Sequence, residues 1–250
     1  MRKHIANAFT LLNLVFGSLA VIQILEGFGN ASEITSNLDL VKRMQLASLF
    51  ICLAGVVDFL DGLIARLLGA TSEMGKQLDS LADLVSFGLA PGVIVYEFLK
   101  ISYLGAEGGV LNPWCLLPAL LIPCAGAFRL ARFNLGNSFS TEFEGLPIPA
   151  GGILIASFPL IYLSTRFTFV QSLLNQPYFW YALILVVCSL MVSSLPMMSL
   201  KFKNLSLKQN WPKFLLLILA ILGGFLLNWL AVPIIFIIYT LLSLILVRRS

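Results

Sequence analysis

Four aspartates, Asp58, Asp61, Asp79 and Asp83, punctuate the otherwise apolar stretch DFLDGLIARLLGATSEMGKQLDSLAD at residues 58–83. The first two are three apart and the last two four apart, so on helices each pair shares one face. The short connection LLGATSEMG makes the two helices antiparallel neighbours, which lets both acidic pairs meet at one depth. With Glu73, the stretch holds five acids against two bases, Arg66 and Lys76, a local balance of −3. Two divalent cations would nearly compensate it. A ligand set made only of carboxylate oxygens suits a hard ion, Mg²⁺ or Mn²⁺ with Ca²⁺ as a further candidate, rather than zinc. The bland alternative is a set of separately solvated charges at two helix ends. Four carboxylates at helical spacing, interleaved with the small residues Gly62, Ala65 and Gly75, argue against it. Gly62 and Ala65 let a phosphorylated ligand approach the backbone, and Arg66, one turn past Gly62, is placed to face phosphate oxygens. Metals beside small residues and an arginine describe a pyrophosphate-cleaving site.

The elements that must position these residues are membrane helices. Of the 250 residues, 59% are hydrophobic and 11% charged, where soluble domains carry about 25% charged. Apolar runs long enough to cross a bilayer recur along the chain. Eight spans are predicted, at 7–25, 46–68, 77–102, 113–135, 149–166, 177–200, 212–228 and 230–248. The first run reads as a retained helix rather than a cleaved signal peptide, since no small-x-small site precedes Glu26. The last two spans are divided at NWLAVP, because one helix of that length would exceed a hydrocarbon core about 30 Å thick. Residues 26–45 read as a polar surface loop with a helical end. With eight spans, Arg2, Lys3, Arg66, Lys76, Arg129, Arg132, Lys201, Lys203, Lys208, Lys213, Arg248 and Arg249 share one side. Only Lys42, Arg43, Lys100 and Arg166 lie on the other. That asymmetry places both termini in the cytoplasm and the acidic site at the cytoplasmic face of a cell membrane. Cys52, Cys115, Cys124 and Cys188 fall singly in apolar runs and read as buried free thiols. The expected architecture is an all-α integral membrane protein, a single membrane domain over 1–250. Nothing in the composition calls for nucleic acid.

The run Asp58-x-x-Asp61-Gly62-x-x-Ala65-Arg66, eight residues, Gly75-x-x-x-Asp79-x-x-x-Asp83 resembles the complete signature of the CDP-alcohol phosphatidyltransferases. The resemblance implies a six-helix catalytic core, here 1–200, with 201–250 as two additional helices, and a homodimer. It implies transfer of a phosphatidyl or similar group from a CDP-linked lipid to an alcohol, with release of CMP. Carried over by position, Asp58, Asp61 and Asp79 would hold metal. Asp83 would touch a second ion and act as general base, and Gly62, Ala65, Arg66 and Gly75 would line the CDP pocket.

Three further stretches resemble the branch of that family that uses L-serine as acceptor and CDP-diacylglycerol as donor. NAFTLLNLVFG puts Asn7, Thr10 and Asn13 on one helix face, with Asn7 and Thr10 expected at the CDP moiety. AFRLARFN puts Arg129 and Arg132 one turn apart, with Asn134 beside them, as the expected acceptor site. FEGLPIPAGG departs from the family pattern at Ile148, Gly151 and Gly152, where a small polar residue and alanines are usual. An arginine fork suits the serine carboxylate, although arginines at helix ends also anchor to lipid headgroups. Glycerol 3-phosphate and inositol phosphate remain as alternative acceptors, favouring a denser basic pocket. An ether-linked archaeal donor would be read through the same headgroup. A divalent-cation transporter is a remote alternative, since its acids belong near mid-membrane in repeated halves.

Overall fold

A computed structural model describes residues 2–26, 37–67, 69, 72–104, 112–135, 143–163, 168–198 and 207–247. Helix α1 (Arg2–Leu25) packs along α2 (Asn37–Leu67). The second helix begins well before the predicted span. Leu40, Val41, Met44, Ala47, Ile51 and Ala54 are all buried, so the apolar stripe of the span continues back into a segment whose polar residues had suggested a loop. Asp39 in the first turn suits the positive end of the helix dipole.

Helix α3 (Glu73–Asp83) starts at Ser72, whose hydroxyl accepts from the Gly75 amide at 3.0 Å. It runs on through a π-helical turn (Leu84–Leu89) into α4 (Ala90–Leu104). Pro91 accounts for the wider turn. It has no N–H to offer the carbonyl of Phe87, and its ring would strike that oxygen in a regular helix. The ladder therefore widens just before it, with the Ala90 amide bonded to Val85 O, five residues back. Two 3₁₀ turns opened by Pro113 and Pro118 lead into α5 (Leu121–Leu135).

Helix α6 (Ile148–Tyr162) carries no charge, and it is buried along most of its length against α2, α4 and the π turn. A helix apolar on every side belongs at the centre of a bundle. Helices α7 (Thr168–Leu174) and α8 (Pro177–Val192) meet at 77°. Phe98 of α4 stacks on Trp180 of α8 with ring centroids 4.5 Å apart, and Phe158 of α6 meets Trp180 edge-on. Strand β1 (Phe143–Glu144) pairs antiparallel with β2 (Pro196–Met197), which ties the approach to α6 onto the end of α8.

Helices α9 (Leu207–Leu227) and α10 (Ala231–Val247) are separated by a 3₁₀ turn at Asn228–Leu230. Asn228 has φ 51°, and a Cβ on Gly223 would lie 3.1 Å from that of Ala231. Residues eight apart are about 12 Å apart along a straight helix, so the chain bends sharply here. Among the described residues, with Trp211–Ile245 taken as one, five helical stretches are long and apolar enough to cross a membrane, six if the bent α7–α8 pair is one crossing, and α6 is shorter but apolar. The protein is an all-α integral membrane protein. The four cysteines are free, as expected, but Cys124 is exposed on the helix surface rather than buried.

Candidate active site

The acidic site is assembled where α2 ends and α3 begins. Asp58, Asp79 and Asp83 each direct a carboxylate oxygen into one cluster, with these atoms all within 4.8 Å of one another. Asp58 and Asp79 lie close enough to share a hydrogen bond. No lysine or arginine forms an ion pair with the three among the described residues. Three carboxylates at this separation repel one another strongly, and oxygen-only donors fit hard divalent cations.

Asp61 lies just outside this cluster, within electrostatic range of Asp58 and Asp79. It is buried, and its carboxylate accepts a hydrogen bond from the hydroxyl of Thr10 on α1. The resemblance expects Thr10 at the CDP moiety; in the structure its hydroxyl holds Asp61, the second carboxylate of the motif.

Helix α1 follows the whole motif with one polar stripe. Asn7 Oδ1 lies beside Gly75, 3.3 Å from where a Cβ on that residue would sit. Thr10 meets Asp61, and Asn13 Nδ2 donates to Asp83 Oδ1 at 3.1 Å. Ser86, in the π turn, donates to the backbone carbonyl of Asn13 at 3.0 Å. Gly17 continues the stripe against Ser86, where a Cβ would come within 2.7 Å of the Ser86 Cα.

No described atom lies within 4 Å of where a Cβ on Gly62 would sit. Ala65 is half-buried, as is Gly75. The side chain of Arg66 lies outside the described residues. Lys76, which sequence reasoning counted only as charge, sits over the ring of Phe133 at 5.4 Å from its centroid.

The two arginines of α5 have different surroundings. Arg129 is 7% exposed, and its Nε has no hydrogen-bond partner among the described residues. It is within electrostatic reach of Asp83 and of Tyr239 on α10. Arg132 instead donates to Val192 O at 2.9 Å and to Ser193 O at 2.7 Å, at the C-terminal end of α8. A cation there satisfies carbonyls that the helix leaves unpaired. Asn134 donates to Ser80 Oγ at 2.9 Å, which ties α5 to α3, and its Oδ1 is buried without a partner among the described residues.

Sequence reasoning missed Tyr239. It lies far outside the motif and is one apolar-helix tyrosine among several. Its hydroxyl donates to Met198 O at 3.0 Å, and the Met198 amide donates to Ser243 Oγ at 3.3 Å, so α10 is fastened to the segment that follows α8. Only the tertiary contact reveals it.

An acidic cluster on two antiparallel membrane helices, faced by a polar stripe from the first helix, makes a candidate site for a divalent cation in a membrane enzyme. The chain belongs to the CDP-alcohol phosphatidyltransferase family, whose pattern matches residues 3–188. It is similar to the CDP-diacylglycerol--serine O-phosphatidyltransferase of Bacillus subtilis, 36% identical over 162 residues that cover 64% of this chain and 77% of that protein. The protein of the same name from Mycobacterium leprae is 28% identical over 220 residues, 85% of this chain and 67% of that one. That of Saccharomyces cerevisiae is 35% identical over 155 residues, 58% of this chain, and the match spans half (50%) of the yeast protein.

Proposed function

We propose that this protein transfers the phosphatidyl group of CDP-diacylglycerol to the hydroxyl of L-serine, giving phosphatidylserine and CMP. The observation that carries the reading is the cluster of Asp58, Asp79 and Asp83, with Asp83 held by Asn13 and faced by the buried Arg129. Family membership and the names of the relatives support the same activity.

Asp83 is the general base. It takes the proton from the serine hydroxyl as that oxygen attacks the phosphatidyl phosphorus, and the bond from phosphorus to the bridging oxygen of CMP breaks. The electron pair of that bond leaves with CMP. The backbone at Gly62, Ala65 and Gly75, with Asn7, receives the CDP portion, and the family resemblance assigns Arg66 to its phosphates. Divalent cations, two Mg²⁺ or Mn²⁺ ions with Ca²⁺ also compatible, would be held by Asp58, Asp79 and Asp83 with Asp61 alongside, and when bound would neutralise the diphosphate. Arg129 offers its buried guanidinium to the serine carboxylate. Arg132 supports that pocket from outside by holding the end of α8, and Asn134 keeps α5 against α3.

Eight membrane passes follow if α6 counts as a crossing, α7–α8 as one, and α9 and α10 as two. Residues 1–200 then form the six-helix catalytic core and 201–250 add two helices. The lysine and arginine asymmetry places the site on the cytoplasmic face, and family resemblance supports a homodimer. The test is CMP release by purified protein with CDP-diacylglycerol and Mg²⁺ or Mn²⁺, offering serine, glycerol 3-phosphate and inositol phosphate separately. Release with serine alone is expected. Release only with a phosphorylated acceptor would overturn the serine assignment and leave the metal site standing.

A further inference from the structure

Asn13 is fully buried, at 0% exposure, inside the first helix of a membrane protein. A side-chain amide in that position needs partners for a carbonyl oxygen and an NH₂ group, because an unmatched polar atom there is costly. Its Nδ2 is accounted for by Asp83 Oδ1 at 3.1 Å. Its Oδ1 is buried with no partner among the described residues. Little freedom exists to relieve this by movement. The Asn13 carbonyl is tied to Ser86 at 3.0 Å, and one turn on, Gly17 lies so close to Ser86 that no side chain would fit between them. The register of α1 against the π turn is therefore fixed, and the hydrogen bond to Asp83 orients the amide.

The unmatched acceptor sits beside the proposed base. Arg129, whose buried Nε has no partner among the described residues, is within electrostatic reach of the same carboxylate. An unmatched acceptor and a cationic donor near Asp83 are the complement of a zwitterion whose hydroxyl meets the carboxylate. We infer that Asn13 has two tasks: its Nδ2 positions Asp83, and its Oδ1 receives the ammonium group of the amino-acid acceptor. This rests on the serine reading of the site. It assigns the amino group, which the carboxylate-binding arginine leaves unexplained, and it makes α1 a determinant of acceptor choice.

Two acceptor analogues test it. 3-Hydroxypropionate has the hydroxyl and carboxylate of serine without the ammonium; ethanolamine has the hydroxyl and ammonium without the carboxylate. With wild-type protein, 3-hydroxypropionate should be used or should compete about tenfold or more less well than serine, since a site built to bond a group rejects the analogue that lacks it. Asn13→Ala should reduce that preference to within about threefold, while the KM for CDP-diacylglycerol and the preference over ethanolamine stay as they were. Asn13→Asp restores an acceptor oxygen but not the donor to Asp83, so it should keep the preference for serine and lose kcat. That split separates a residue that reads substrate from one that only supports the helix. Unchanged discrimination in Asn13→Ala would overturn the inference. If neither variant folds, the wild-type comparison decides: equal use of serine and 3-hydroxypropionate would equally overturn it. Absence of CMP release with serine in the wild type would overturn the function itself, and this inference with it.

Discussion

Gly152 should be far less tolerant of a methyl group than its neighbour Gly151. A Cβ on Gly152 would lie 2.8 Å from both the Cα and the Cβ of Phe87 and 2.9 Å from its carbonyl oxygen. Ordinary carbon contacts fall at about 3.5–4.0 Å, so α6 and the π turn would have to separate by about 0.7–1 Å. The obstacle is backbone, which has no rotamer to change. Overpacking of this kind costs about 1–3 kcal/mol. Phe87 also lies one turn past Asp83, and misplacement of a catalytic group by about 1 Å can cost on the order of 100-fold in rate. At Gly151 a new Cβ meets the terminal methyl of Met191, a flexible group that can swing aside, and Val187 Cγ1 at 3.4 Å. Gly152→Ala should therefore lower both the thermal midpoint in detergent and the kcat for CMP release. Gly151→Ala should change each little. The comparison needs only those two assays on purified protein. A Gly152→Ala protein as stable and active as wild type would refute the claim that α6 sets the position of the π turn.

Three further outcomes are expected. Asp83→Asn keeps an oxygen for Asn13 Nδ2 but cannot take a proton, so turnover should fall about 10²–10⁴-fold with CDP-diacylglycerol binding nearly intact; full activity would remove Asp83 as the base. Arg132→Met should lose roughly 1–3 kcal/mol of stability through the carbonyls of Val192 and Ser193, while leaving the serine KM near wild type. Arg129→Met should show the reverse pattern, and an equal rise in KM for both variants would restore the two-arginine fork. Chelation of divalent cations should abolish CMP release and readdition of Mg²⁺ or Mn²⁺ should restore it, whereas activity undiminished in excess chelator would contradict the metal assignment of the aspartate cluster.

The four aspartates, the small residues between them and the antiparallel pairing of their helices are local in the chain. Spacings of three and four, with a short connection, brought Asp58, Asp79 and Asp83 together while Asp61 turned to Thr10, so an acidic cluster was legible from residues 58–83. The apolar runs were legible for the same reason: a bilayer demands length and apolarity that no loop supplies. What lay beyond reading was long-range. Thr10 to Asp61 and Asn13 to Asp83 join residues separated by 51 and 70 positions. The different fates of Arg129 and Arg132 depend on where α8 ends, and Tyr239 reaches the arginine only because α10 is fastened at Met198. Hydrophobic periodicity says which face of a helix is covered and not which neighbour covers it. The sequence therefore determined that this protein is a membrane enzyme with a carboxylate site. Only the packing of α1, α5 and α6 around the π turn decided which side chains hold that site and which are left to meet a substrate.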